Sequence, residues 1–144
     1  MKAALSVVGY GAMAVGLVWL LMSHSIFSTS PIVITGQLLA FAVMIWARVS
    51  FGLRSFHLAA NPTQGGLVTT GPYRFIRHPI YAAVCLFILA SALGHLSLQS
   101  AALACLVSAG VAIRIVTEEQ LVTQQYPEYR EYAKRTKRLI PFVF

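Results

Sequence analysis

The stretch from Ala3 to Ala47, AALSVVGYGAMAVGLVWLLMSHSIFSTSPIVITGQLLAFAVMIWA, contains no Lys, Arg, Asp or Glu. A second run, Pro79 to Ile113, is equally free of them. A helix needs about 20 apolar residues to cross a bilayer, so each run is too long for one crossing. The first breaks at the polar Ser23-His-Ser-Ile-Phe-Ser-Thr-Ser-Pro31, the second at Gly94-His-Leu-Ser97. These breaks predict spans near 3–22, 31–47, 79–93 and 97–115. The expected fold is an all-α membrane protein with four transmembrane helices in two hairpins. A cytoplasmic loop at 48–78 and a C-terminal segment at 116–144 complete it.

Composition agrees with one integral membrane domain over 1–144. Of 144 residues 58% are hydrophobic and 10% charged, against roughly 25% charged in soluble domains. All eleven Lys and Arg fall at Lys2, between Arg48 and Arg77, or from Arg114 onward, so neither hairpin loop carries one. The positive-inside rule then puts both termini and the central loop in the cytoplasm, as in a bacterial inner membrane. The net charge of +7 follows from that topology, with attraction to anionic lipid headgroups, and needs no nucleic acid. Lys2 and Ala12-Met-Ala14 resemble a signal peptide, but the apolar run continues to Met22, beyond the ~7–15 residues of a signal core, which predicts a retained helix.

Several features carry no chemistry. Cys85 and Cys105 lie inside expected spans and read as inert thiols. No metal-ligand spacing is present, and His24 and His95 fall in the far-side loops. Gly9-Tyr-Gly11-Ala-Met-Ala14 matches a dinucleotide fingerprint in letters only, since no strand precedes it and no acid follows about 20 positions on. Ala12-x-x-x-Gly16 has the spacing of helix packing. From Trp46 to Leu58, aromatic and aliphatic residues mixed with Arg48, Arg54 and His57 predict an interfacial continuation of the second helix, broken at Asn61-Pro62 and Gly65-Gly66. Leu67 to Thr70 should be extended. Beyond the last span, Tyr126-Pro127 predicts a break, Glu128 to Arg135 a helical piece, and Lys137 to Phe144 an amphipathic tail returning to the membrane surface.

Function is expected in Gly71-Pro-Tyr-Arg-Phe-Ile-Arg-His-Pro-Ile-Tyr81-Ala-Ala83, where turn formers, aromatics and cations interrupt an apolar chain. Ionisable groups beside membrane helices cost several kcal/mol and mark binding sites. All four acids, Glu118, Glu119, Glu128 and Glu131, follow the last span. Glu118 and Glu119 point about 100° apart on a helix, so one is expected to face the His78 region and the other solvent.

The pairing of Gly-Pro-Tyr-Arg-Phe-Ile-Arg-His-Pro-Ile-Tyr before the third span with Glu-Glu-x-Leu, Tyr126, Tyr129-x-x-Tyr132 and Arg135 to Pro141 after the fourth resembles a known family. It is that of the isoprenylcysteine carboxyl methyltransferases and phospholipid methyltransferases, over roughly residues 46–144. The resemblance implies an S-adenosylmethionine site built from the C-terminal half and open to the bilayer for a lipophilic or small acceptor. On it, the cofactor-binding residues are Tyr73, Arg77, His78, Pro79, Tyr81, Glu118, Glu119, Tyr129 and Tyr132. Glu118 and Arg135 would act in catalysis, Arg135 pairing with Glu118 or holding the acceptor head group. The residue chemistry agrees, because a sulfonium, an amino acid, a ribose and an adenine together want carboxylate, cation, hydroxyl and ring partners. Two positions depart from the family: Ala82 and Ala83 stand where a glycine usually follows the tyrosine, and Pro127 where a glycine often precedes the acid. A nicotinamide-dependent membrane reductase and a non-catalytic helper subunit are the rival expectations.

Overall fold

Proline and serine set the helix starts. Pro31 and Pro79 occupy the first turns of α2 (Pro31–Phe51) and α3 (Pro79–Gly94), where the missing N–H has no intrahelical partner to lose. Ser97 opens α4 (Leu98–Gln125) with a reciprocal capping box: Ser97 Oγ accepts from Ser100 N at 3.0 Å, and Ser97 N donates to Ser100 Oγ at 3.1 Å. Such a cap contributes about 1 kcal/mol. With α1 (Lys2–Met22), a one-turn 3-10 helix (Gly71–Arg74) and α5 (Tyr129–Arg135), these are the described elements. The structure, a computed structural model, describes residues 2–23, 26, 28–52 and 66–141, with side chains in α1 from Val7 onward. Among these residues there is no strand, only an isolated parallel bridge between Ile76 and Lys137.

By length and composition α2 and α4 are able to cross a membrane, while α3 and the Val7–Met22 part of α1 are shorter apolar helices. The outer faces support that solvent. Ile32, Leu38, Phe41 and Val49 of α2 are all exposed, an apolar surface of the kind that lipid covers.

The expected hairpins are half right. α3 packs against α4, but α1 packs along α4 and α2 along α3, giving the order α1–α4–α3–α2. Among the described residues, consecutive α1 and α2 are therefore not a packed pair. Small residues explain the choice. A Cβ on Gly9 would lie 2.9 Å from the Gly110 carbonyl oxygen, and one on Gly110 would lie 2.7 Å from that of Gly9. Only paired glycines allow this backbone approach. Gly16, expected as a packing residue, meets Val107 of α4. Met13, Leu20, Tyr81, Ile88, Val107, Val111 and Ile115 form the core between α1, α3 and α4.

Two further corrections position the site. α4 runs to Gln125, ten residues past its expected end near 115. At ~1.5 Å per residue it is about 42 Å long, more than the ~30 Å hydrocarbon core, so it carries polar residues beyond the apolar bundle. The chain after α5 does not turn straight to lipid: Lys137 and Arg138 run beside Phe75 to His78, and Leu139 packs on the core. The expected helix continuation and breaks at 53–65 lie outside the described residues, as do Phe142 to Phe144.

Candidate active site

Gly71 starts the site. Its φ is +59°, and a Cβ there would fall 2.1 Å from Ser50 Oγ, so both backbone conformation and space demand glycine. The turn seats Tyr73 in a buried position against Phe51, with ring centroids 5.4 Å apart. The Tyr132 hydroxyl donates to the Tyr73 carbonyl at 2.6 Å. The following segment is clamped by the C-terminal chain: Arg77 N donates to Lys137 O at 2.7 Å, His78 N to Arg138 O at 3.0 Å, and Lys137 N to Phe75 O at 3.3 Å.

The extended α4 brings both glutamates under this segment, and His78 lies between them. Its Nε2 is 3.4 Å from Glu119 Oε1 and its Nδ1 is 3.8 Å from Glu118 Oε2. The expectation that one glutamate would face solvent is thus corrected; the side chains are only 24% and 14% exposed for Glu118 and Glu119.

Glu119 is surrounded by donors. Oε1 accepts from Arg77 Nε at 2.9 Å and the Tyr129 hydroxyl at 3.3 Å, and Oε2 from Arg138 Nε and Nη2 at 3.0 and 2.9 Å. These charge-assisted bonds join the segment before α3, α5 and the tail to one carboxylate. Arg77 adds bonds from Nη1 to the carbonyls of Ala133, at 2.9 Å, and Thr136. Much of its donor capacity is therefore used within the protein, which narrows its expected role as a ligand donor.

Glu118 differs. Oε1 accepts from the Tyr81 hydroxyl at 2.5 Å and Arg114 Nη2 at 2.9 Å. Among the described residues, Oε2 has only the His78 contact at 3.8 Å, too long for a hydrogen bond. Tyr81 also stacks on His78, centroids 5.7 Å apart. Pro79, buried, starts α3 directly after His78.

Around the carboxylates, burial raises the phenol pKa values of Tyr73 and Tyr129 above the usual range, and that of Tyr132 to about 12. Neighbouring Glu119 adds to the rise at Tyr129. All three stay hydroxyl donors at neutral pH. Glu119 holds the Arg138 pKa up by hydrogen bonding. Glu119 itself lines an open groove of about 430 Å³ together with Val116, Gln120, Thr123, Gln124, Arg130 and Arg138. Glu118 does not line it.

Of the expected site residues, Tyr73, Arg77, His78, Pro79, Tyr81, Glu118, Glu119, Tyr129 and Tyr132 converge. Arg135 does not join them; it is exposed at the end of α5, and the expected pairing with Glu118 is made by Arg114 instead. Arg114 and Arg138 are the residues the sequence reading missed. For Arg114 the i,i+4 spacing to Glu118 was an available signal; Arg138 sits in an irregular tail where no periodicity points to it.

A buried loop–helix–tail cluster thus sits on a bundle of apolar helices, two of them long and apolar enough to cross a membrane. The sequence profile of the phospholipid methyltransferase family matches residues 32–129, and the chain belongs to that family. Among curated proteins it is 38% identical over 79 residues to the nickel-cobalt-cadmium resistance protein NccN of Alcaligenes xylosoxydans xylosoxydans. It is 37% identical over 79 residues to the cobalt-zinc-cadmium resistance protein CzcN of Cupriavidus metallidurans. Each match covers 52% of this chain and only 36% and 35% of the relatives, so the chain aligns with about a third of their length. No solved structure matches it.

Proposed function

We propose that the protein transfers a methyl group from S-adenosylmethionine to a lipophilic or small acceptor at the cytoplasmic membrane face. The observation that carries this reading is the junction of Arg77-His78 with Glu118-Glu119, two strips about forty residues apart that meet at hydrogen-bonding distance in a chain of the phospholipid methyltransferase family. The donor set fits the cofactor. Glu118 Oε2 keeps an acceptor for a ribose hydroxyl or an ammonium, and the tyrosines beside it offer ring faces to a cation.

When bound, the cofactor supplies a methyl group already activated on a sulfonium. The residues then need only bind, orient and exclude water, which can supply much of the rate of an in-line displacement. Glu118 and His78 would hold the donor's polar groups, while Glu119 fixes the loop that carries His78. Arg135, on the surface, suits the head group of an anionic acceptor. A carboxylate, a thiol or an amine are the acceptor chemistries compatible with this site. An amine has to lose a proton before attack, giving a rate that rises with pH, whereas a carboxylate needs a cation beside it.

The reading includes four membrane crossings with both termini in the cytoplasm of a bacterial inner membrane, supported by the distribution of Lys and Arg. Titration of the detergent-purified protein with S-adenosylhomocysteine and with nicotinamide dinucleotides tests the function. Saturable binding of the first alone is expected. Dinucleotide binding would favour a reductase, and binding of neither a helper subunit.

A further inference from the structure

Arg114 lies in the apolar bundle with its side chain only 5% exposed. A guanidinium there must be compensated on every side, since an unpaired buried charge is costly. Two partners belong to the site: Nε donates to the Tyr81 hydroxyl at 2.7 Å and Nη2 to Glu118 at 2.9 Å. The Tyr81 ring also lies 5.8 Å from the guanidinium carbon, and a further contact comes from outside the site. The guanidinium carbon sits 5.4 Å from the ring centroid of Tyr10, in α1, within the ~6 Å reach of a cation–π contact.

This contact follows from the close seam between α1 and α4. The Gly9–Gly110 approach brings the α1 backbone beside Arg114, so that a Cβ on Gly9 would be 3.0 Å from Arg114 Cγ. The next residue, Tyr10, is thereby presented to the cation. The family profile begins at residue 32, so α1 lies wholly outside the matched region, yet reaches the matched region's buried arginine.

We propose that α1 is a positioning element of the ligand site. Tyr10 holds the Arg114 guanidinium in the plane from which it fixes both the Tyr81 hydroxyl and Glu118 Oε1. That orientation leaves Glu118 Oε2 turned toward His78 and available to a ligand. Tyr10 touches no ligand itself; it acts through Arg114. Tyr10 as a residue is 42% exposed, so replacing it opens no core cavity. The inference rests on the cofactor reading for what the site binds, but not for the geometry.

The test substitutes position 10 in the full-length protein in detergent. Tyr10→Leu removes the ring, Tyr10→Phe keeps it, and a trifluorinated phenylalanine keeps its shape while weakening its negative face. The Nε–H resonance of Arg114 is read by NMR, together with affinity for S-adenosylhomocysteine and the melting temperature. With the ring removed or fluorinated, the Nε–H signal should shift and exchange faster with water, and affinity should fall about fivefold, in line with a partly desolvated cation–π contact. Tyr10→Phe should recover both. The fluorinated variant separates ring charge from packing, because a merely structural role would leave it like Tyr10→Phe. An Nε–H resonance and affinity that stay unchanged through the fluorinated variant overturn the inference. If the unaltered protein binds no S-adenosylhomocysteine, the cofactor reading fails, and the Nε–H resonance alone decides for or against the role of Tyr10.

Discussion

Glu118 and Glu119 are neighbours in sequence and opposites in use. Glu119 spends both oxygens on Arg77, Arg138 and Tyr129, tying the segment before α3, α5 and the tail to α4. Glu118 spends one oxygen on Tyr81 and Arg114 and leaves the other 3.8 Å from His78. One carboxylate closes the fold, while its neighbour keeps an acceptor atom open. Adjacent acids on a helix can thus divide structural and ligand duties, because a turn of about 100° hands each a different set of partners.

Substitutions sharpen or break this division. The largest loss of stability is expected from Glu119→Gln, about 3 kcal/mol, since Arg77 would remain buried without its counter-charge. Denaturant or thermal unfolding in detergent reads it, and a loss below about 1 kcal/mol would remove Glu119 from its central place. Glu118→Gln should cost less, about 2 kcal/mol: it takes the counter-charge from buried Arg114, which keeps the Tyr81 hydroxyl as acceptor, whereas Glu119→Gln takes it from both Arg77 and Arg138. A larger loss than for Glu119→Gln would reverse the comparison. Arg138→Ala, whose side chain is 40% exposed, is expected to cost about 1 kcal/mol or less after solvent screening. Its signature is faster amide hydrogen exchange at His78, whose N–H is bonded to the tail; unchanged exchange would mean the tail clamps nothing. Arg135→Ala should be smallest, within about 0.5 kcal/mol, as for other exposed positions. If Arg135 holds an acceptor head group, this variant raises KM for an anionic acceptor without altering the melting temperature.

The same contrast explains what could be read from the sequence. Helix starts were legible because Pro31, Pro79 and Ser97 act locally. The convergence of His78 with one glutamate was legible through the motif pair; that the second also faces it was not. The partners of the helices were not, because Gly9 and Gly110 choose each other only in three dimensions, across a hundred residues of chain. The end of α4 was misplaced for a physical reason. Arg114 looks like the close of an apolar span, but Tyr10, Tyr81 and Glu118 absorb its charge, so the helix continues past it. Arg138 was hidden in a run of cations whose irregular backbone has no period to reveal which one turns inward.

The central claim is that Glu118 faces a ligand and Glu119 faces the protein. Calorimetric titration of S-adenosylhomocysteine into the unaltered protein and into Glu118→Gln tests it most directly. Saturable binding that weakens about tenfold in the variant, the loss of one charge-assisted hydrogen bond, is the expected result. Equal affinity in the two proteins, or no binding to either, would contradict the account.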